Sequence, residues 1–168
     1  MVFSPRVLVI NQQKNVDYES DNVKDKKNLL SYIAWSCGDY SNDPSSLIAR
    51  SGITKEFSTN WSSMGSYSIK LTGSSWDWVG YQIYDLSNIP SSFQVSADIN
   101  TSIMAKFNCD ITYSDSSSDS YSVDITKPST PIITVIPDST KIINRVQIRL
   151  TLMGDGIAYM DNINLKTT

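Results

Sequence analysis

Most of this chain alternates apolar and polar residues with a period of two, the spacing of a strand with one face buried. "SYSIKLT" places Tyr67, Ile69 and Leu71 on one face, and "VGYQIYD" places Val79, Tyr81 and Ile83 opposite Gln82 and Tyr84. "SFQVSADIN" sets Phe93, Val95, Ala97 and Ile99 against Gln94, Ser96, Asp98 and Asn100. "KFNCDITY" sets Phe107, Cys109, Ile111 and Tyr113 against Lys106, Asn108, Asp110 and Thr112. "YSVDI" contributes Tyr121, Val123 and Ile125, and "RVQIRLTL" sets Val146, Ile148, Leu150 and Leu152 against Arg145, Gln147, Arg149 and Thr151. In the closing "GIAYMDNINLKTT", simple alternation puts Ile157, Tyr159, Ile163 and Leu165 on one face, and Asp161 with them.

Turn chemistry separates these runs. "LSNIPSS" and "SDSSSDS" are breaks, and "LMGDGIAY" reads as a hairpin with Asp155-Gly156 suited to positive φ. "KPSTPIITVIPDSTK" carries three prolines and fits a crossing or edge strand better than a central one. The pattern predicts about eight strands and no amphipathic helix. Clean one-sided alternation implies an all-β fold, a two-sheet antiparallel β-sandwich with jelly-roll or related Greek-key connections. The expected core includes Tyr67, Ile69, Leu71, Tyr81, Ile83, Phe93, Val95, Ile99, Phe107, Ile111, Val146, Ile148, Leu150 and Ile163.

Residues 1–27 do not share this pattern. After a short "VLVI", the stretch "NQQKNVDYESDNVKDKK" is polar and aperiodic, and reads as an N-terminal arm or linker. The compact domain then spans residues 28–168, a length that buries a core without staples. The start lacks the features of a signal peptide, because Pro5 and Arg6 interrupt it and its apolar run is short.

Composition narrows the chemistry. Charged residues are 18% of the 168 and the net charge is −3, with no basic cluster to track phosphates, so nucleic acid is not an expected partner. No apolar run is long enough for a membrane span. There is no histidine, which removes the commonest general base and most zinc and iron sites. Cys37 and Cys109 form no metal or redox motif. Cys109 sits at an apolar position and reads as a buried free thiol, with a Cys37–Cys109 disulfide as the alternative.

The ordered motifs "NLL", "GSYSIKLTG", "GYQIYDLSNIPSSFQVSADIN" and "INRVQIRL…GIAYMDNINL" resemble the jelly-roll carbohydrate-binding modules, galactose-binding-like β-sandwiches. Similar domains are appended to glycoside hydrolases and to phage tail and receptor-binding proteins. The likeness covers residues 28–166 and leaves the arm outside. It implies a non-catalytic glycan-binding domain placed outside the cell or on a virion surface. In the resembling modules a final-strand acidic residue often ligates a structural Ca2+, and Asp161 in "YMDNINL" matches that position. The family's glutamate ligand after "NLL" is replaced here by "SYIAWSCGDYSND", where Asp39 and Asp43 are the acidic residues at a different spacing. The other reading of Asp161 is a carboxylate that accepts backbone hydrogen bonds, pairs with a lysine or sits at a rim.

A sugar site needs an aromatic platform beside amide, carboxylate or guanidinium groups. Trp76, Trp78, Gln82 and Tyr84 share the outward parity of one segment, and Gln94, Asn108, Gln147 and Arg149 are outward on others. These eight are the candidate ligand-binding residues, whereas Trp35 and Trp61 read as packing. A second reading keeps the fold but makes it a structural or assembly surface of a virion or phage tail, anchored to a virion or host-surface protein through residues 1–27. A glycosidase would need paired carboxylates separated by roughly 5 to 9.5 Å. Asp98, Asp110 and Asp124 are outward, but aspartates are expected on solvated strands, and no motif marks a raised-pKa acid. The chain is therefore read as not an enzyme.

Overall fold

The computed structural model describes residues 47–54, 56–63, 67–83 and 89–168. The arm, Trp35, Cys37, Asp39, Asp43 and Tyr84 lie outside the described residues. Among the described residues ten strands follow one another: β1 (Leu47–Ala49), β2 (Glu56–Ser58), β3 (Ser68–Gly73), β4 (Trp78–Ile83), β5 (Phe93–Thr101), β6 (Ala105–Tyr113), β7 (Ser118–Ile125), β8 (Ile132–Val135), β9 (Ile143–Leu152) and β10 (Gly156–Thr167). They form two five-stranded antiparallel sheets, β1-β4-β9-β6-β7 and β2-β3-β10-β5-β8. The short β1 and β2 add to the expected eight because three-residue strands carry too little alternation to read.

The two sheets face each other through the predicted apolar rows. Ile69, Leu71, Phe93, Val95, Ile99, Leu165 and Ile163 from one sheet meet Tyr81, Ile83, Phe107, Ile111, Val146, Ile148 and Leu150 from the other, all buried. Each such side chain contributes about 1.5 to 3 kcal/mol by leaving water. Tyr67, expected inside, is only half-buried, because it precedes β3. Cys109 is a buried free thiol whose pKa burial pushes up to about 12, with Asp110 nearby adding to the rise.

Connections mostly pass between sheets, as a jelly roll requires. Only β2–β3 and β6–β7 are consecutive neighbours within one sheet. The Gly154-Asp155-Gly156 reversal is therefore not a hairpin: it carries the chain from β9 in one sheet to β10 in the other. Neither Asp155 nor Gly156 has a positive φ. Turn residues announce that the chain reverses, but not which ladder it joins. The Pro-rich segment supplies β8, an edge strand beside β5, with its prolines outside the ladder, Pro131 just before the strand and Pro137 beyond it.

The final strand departs from simple alternation. Ala158 and Met160 are buried, whereas Ile157 is 37% exposed and Tyr159 half-buried. Between Asp161 and Asn164 the pairing with β5 slips, so three steps on β10 match two on β5, from Asp98 to Ser96. Asn162 takes the positive φ (47°) of this β-bulge, a conformation asparagine tolerates. Beyond it Ile163 and Leu165 point into the core. The single face expected for Ile157, Tyr159, Ile163 and Leu165 is thus split by one inserted residue. Asp161 shares the outward face with Ile157 and Tyr159.

Candidate functional site

Asp161 is fully buried although it faces outward, because the chain after β2 crosses over it. Its Oδ2 accepts hydrogen bonds from the Ser63 N–H (2.9 Å) and hydroxyl (3.2 Å), and its Oδ1 from the Asn162 N–H (2.8 Å). Opposite it on β5, Asp98 accepts from Thr130 Oγ1 (2.6 Å) and Asn162 Nδ2 (3.1 Å). Partial burial raises the Asp98 pKa, but hydrogen bonds from Ser63, Thr130 and Asn162 outweigh it and hold the carboxyl below its ordinary value. The partners of Asp161 include two backbone N–H groups and a hydroxyl, which hold the carboxylate as a hydrogen-bond acceptor. Among the described residues no group of three or more His, Cys, Asp or Glu side chains converges on one point.

The outer face of the β1-β4-β9-β6-β7 sheet has a different character. Register places Trp78, Thr151, Lys106 and Asp124 in one row across β4, β9, β6 and β7. Gly80, Arg149, Asn108 and Ser122 form the next, then Gln82, Gln147, Asp110 and Ser120. Alternation turns all of these away from the core. They are tied into separate cross-strand groups: Gln147 Nε2 donates to Gln82 Oε1 (3.1 Å) and Thr151 Oγ1 to Asn108 Oδ1 (3.3 Å). Arg149 Nε donates to Asp110 Oδ2 (2.7 Å), and Ser120 Oγ to Asp110 Oδ1 (2.7 Å). The Arg149 guanidinium also lies 5.0 Å from the Trp78 ring centroid, a cation–π contact. Asp110 thus holds Arg149 beside a half-exposed indole, leaving guanidinium donors for a ligand hydroxyl.

Of the eight candidate residues, Trp78, Gln82, Asn108, Gln147 and Arg149 come together on this face. Trp76 sits at the adjoining end of the sandwich, in the turn between β3 and β4. It is 60% exposed and has a positive φ of 73°, and its N–H donates to the Leu152 carbonyl (2.8 Å). The turn is braced by Asp77, which accepts from the Ser74 N–H (2.7 Å) and from Arg50 (3.2 Å). Gln94 is on β5, in the other sheet, and does not join the group. Parity shows that a side chain points out, but not from which sheet.

By sequence Asp110 reads only as a candidate catalytic carboxylate, and Gly80 carries no assigned role. The signal for Gly80 was a glycine inside a strand, which marks close backbone approach. A Cβ there would run into the Ile148 carbonyl oxygen and crowd Arg149 Cα and Cγ. The three outward aspartates do not form an acid–base pair. Asp98 is on the other sheet, Asp110 is bound by Arg149, and Asp124 pairs with Lys106 (3.4 Å).

The described residues define a jelly-roll β-sandwich of the kind found in carbohydrate-binding modules. The CBM22-1 xylan-binding domain from Paenibacillus barcinonensis Xyn10C is similar, at TM-score 0.61 and 12% identity over 80% of this chain and 97% of that one. The CBM22-1-CBM22-2 tandem domain of the same protein matches at TM-score 0.67 and 11% identity, over 88% of this chain and 47% of that one. The enzymatically active domain of Bacteriophage CBA120 tailspike protein 4 matches at TM-score 0.53 and 13% identity, over 73% of this chain and 19% of that one. No family model matches the chain, and no curated protein matches its sequence.

Proposed function

We propose that this chain is a non-catalytic carbohydrate-binding domain that holds a polysaccharide on the outer face of the β1-β4-β9-β6-β7 sheet. The observation that supports this most is the half-exposed Trp78 ring flanked by Arg149, with the Gln82–Gln147 amide pair beginning four residues along β4. An indole offers a flat apolar surface to sugar C–H groups, while amides and a guanidinium meet the hydroxyl rim. From Trp78 to Gln82 the strand advances roughly 13 Å at ~3.3 Å per residue, long enough for several sugar units in a row. Xylan is the first polymer to try, because several similar structures carry that ligand in their names. Such a domain would act outside the cell or on a virion surface.

The test is affinity electrophoresis and calorimetry against soluble polysaccharides, comparing the chain with Trp78→Ala and Gln147→Ala. Binding lost in Trp78→Ala, with an unchanged melting temperature, supports the reading. Undiminished binding in Trp78→Ala rejects this face as the site.

A second reading is favoured by one observation, the likeness to a phage tailspike domain. There the same fold would serve as an assembly or adhesion surface, with residues 1–27 anchoring it to a virion or host-surface protein. A pull-down with residues 1–27 fused to an unrelated carrier separates the two readings.

A further inference from the structure

Resting on the carbohydrate reading, we propose that Arg145 makes this face selective for polysaccharides that carry carboxylate groups, as uronic acid units do.

The cations of the face are not equivalent. Arg149 pairs with Asp110, and Lys106 with Asp124. Arg145 makes one described contact, a hydrogen bond from Nη2 to Thr112 Oγ1 (3.1 Å), and has no ion pair among the described residues. It stands at the register shift between β9 and β6, where Tyr113 pairs with Ile143 and the ladder skips Asn144. There Asn144 and Arg145 are both exposed, so the guanidinium stands at the end of the platform, two residues from Gln147. A guanidinium has five N–H donors in a planar fork that matches a carboxylate, and most of these remain available.

Among the described residues the two ion pairs cancel within the face, leaving one positive charge there on a chain of net charge −3. At physiological salt, charges beyond about 8 Å are largely screened. The local guanidinium, rather than the net charge, then decides how a bound carboxylate is received. A neutral polymer would use Trp78 and the amides without gaining from Arg145.

The experiment is calorimetry of the full chain with glucuronoxylan and with the same polymer after its carboxylates are reduced to alcohols. The native polymer is expected to bind about two- to fivefold more tightly, the range of an exposed ion pair. That gap should close in Arg145→Gln and in high salt, and persist in Arg145→Lys. Binding of the reduced polymer should be unchanged by either substitution. Equal affinity of the unaltered chain for both polymers, or an undiminished gap in Arg145→Gln, overturns the proposal while leaving the carbohydrate reading intact. Failure to bind either polymer overturns both.

Discussion

Arg149 on β9 and Asp110 on β6 are cross-strand neighbours whose ion pair aligns a guanidinium with the Trp78 ring on β4, spanning three strands. The pair is partly exposed, so its main consequence is orientation rather than stability. Asp110→Asn should weaken polysaccharide binding by about three- to tenfold while changing unfolding free energy by about 1 kcal/mol. Calorimetry and urea denaturation of the same variant check this. A large stability loss with intact affinity would reverse the assignment.

Gly80 and Gly154 offer a matched comparison. At Gly80 a Cβ would strike the Ile148 backbone, so β4 and β9 would have to part in mid-sheet. At Gly154 a Cβ meets nothing within 4 Å. Gly80→Ala should lower stability by about 1 to 3 kcal/mol, in the range of overpacking, and Gly154→Ala should be close to neutral. Thermal melts of the two variants read the difference.

Ile148 is fully buried on β9, between Tyr81 of β4 and Cys109 of β6 in register. Ile148→Ala should cost about 2 to 5 kcal/mol, through lost burial and the cavity left behind. The denaturation midpoint should fall with little change in slope.

Asp161 closes the crossing segment through Ser63 and stabilises the bulge through Asn162. Asp161→Ala should destabilise by about 1 to 3 kcal/mol, because buried N–H donors lose their acceptor. A chelator should leave the melting temperature of the unaltered chain where it is. A fall reversed by added Ca2+ would show that the carboxylate serves a metal instead.

Asp98 contributes to the acid limb of the stability profile, and Tyr113, together with Cys109, to the alkaline limb. Asp98 has its folded pKa below its ordinary value of 3.8, so its contribution is present above that value and is lost as pH falls through the lower folded one. Tyr113 behaves in the opposite sense. Burial, helped by its hydrogen bond to Asp119, raises its pKa from 10.0 to about 12. Its contribution is complete below pH 10 and disappears as pH rises toward 12. Tyr113→Phe should flatten the alkaline limb of a stability–pH curve and Asp98→Asn the acid limb. The phenol also accepts from the Asp138 N–H (2.8 Å), so Tyr113→Phe should loosen the β8–β9 connection.

Alternation along "SFQVSADIN", "KFNCDITY" and "RVQIRLTL" was enough to assign strands, faces and the two-sheet class. Side-chain direction in a strand depends only on position along it, a local property that composition writes directly. The outward set Trp78, Gln82, Asn108, Gln147 and Arg149 was legible for the same reason. Their assembly on one face, with Gln94 on the other sheet, was not. Sheet membership depends on pairing between strands far apart in the chain, such as Asn108 with Arg149. The same holds for the Gly154–Gly156 reversal, which changes sheets where local turn chemistry suggested a hairpin.

Asp161 marks the boundary most clearly. The sequence by itself determined that a carboxylate interrupts an apolar strand and needs partners. Only the tertiary structure decided that a one-residue bulge turns the face at this point, and that Ser63, 98 positions earlier, supplies a backbone N–H and a hydroxyl to the carboxylate. A bulge is settled by which register best buries both neighbouring strands, and a lone residue's hydrogen-bond partners by which loop crosses it. Both are long-range balances that no window of the sequence contains.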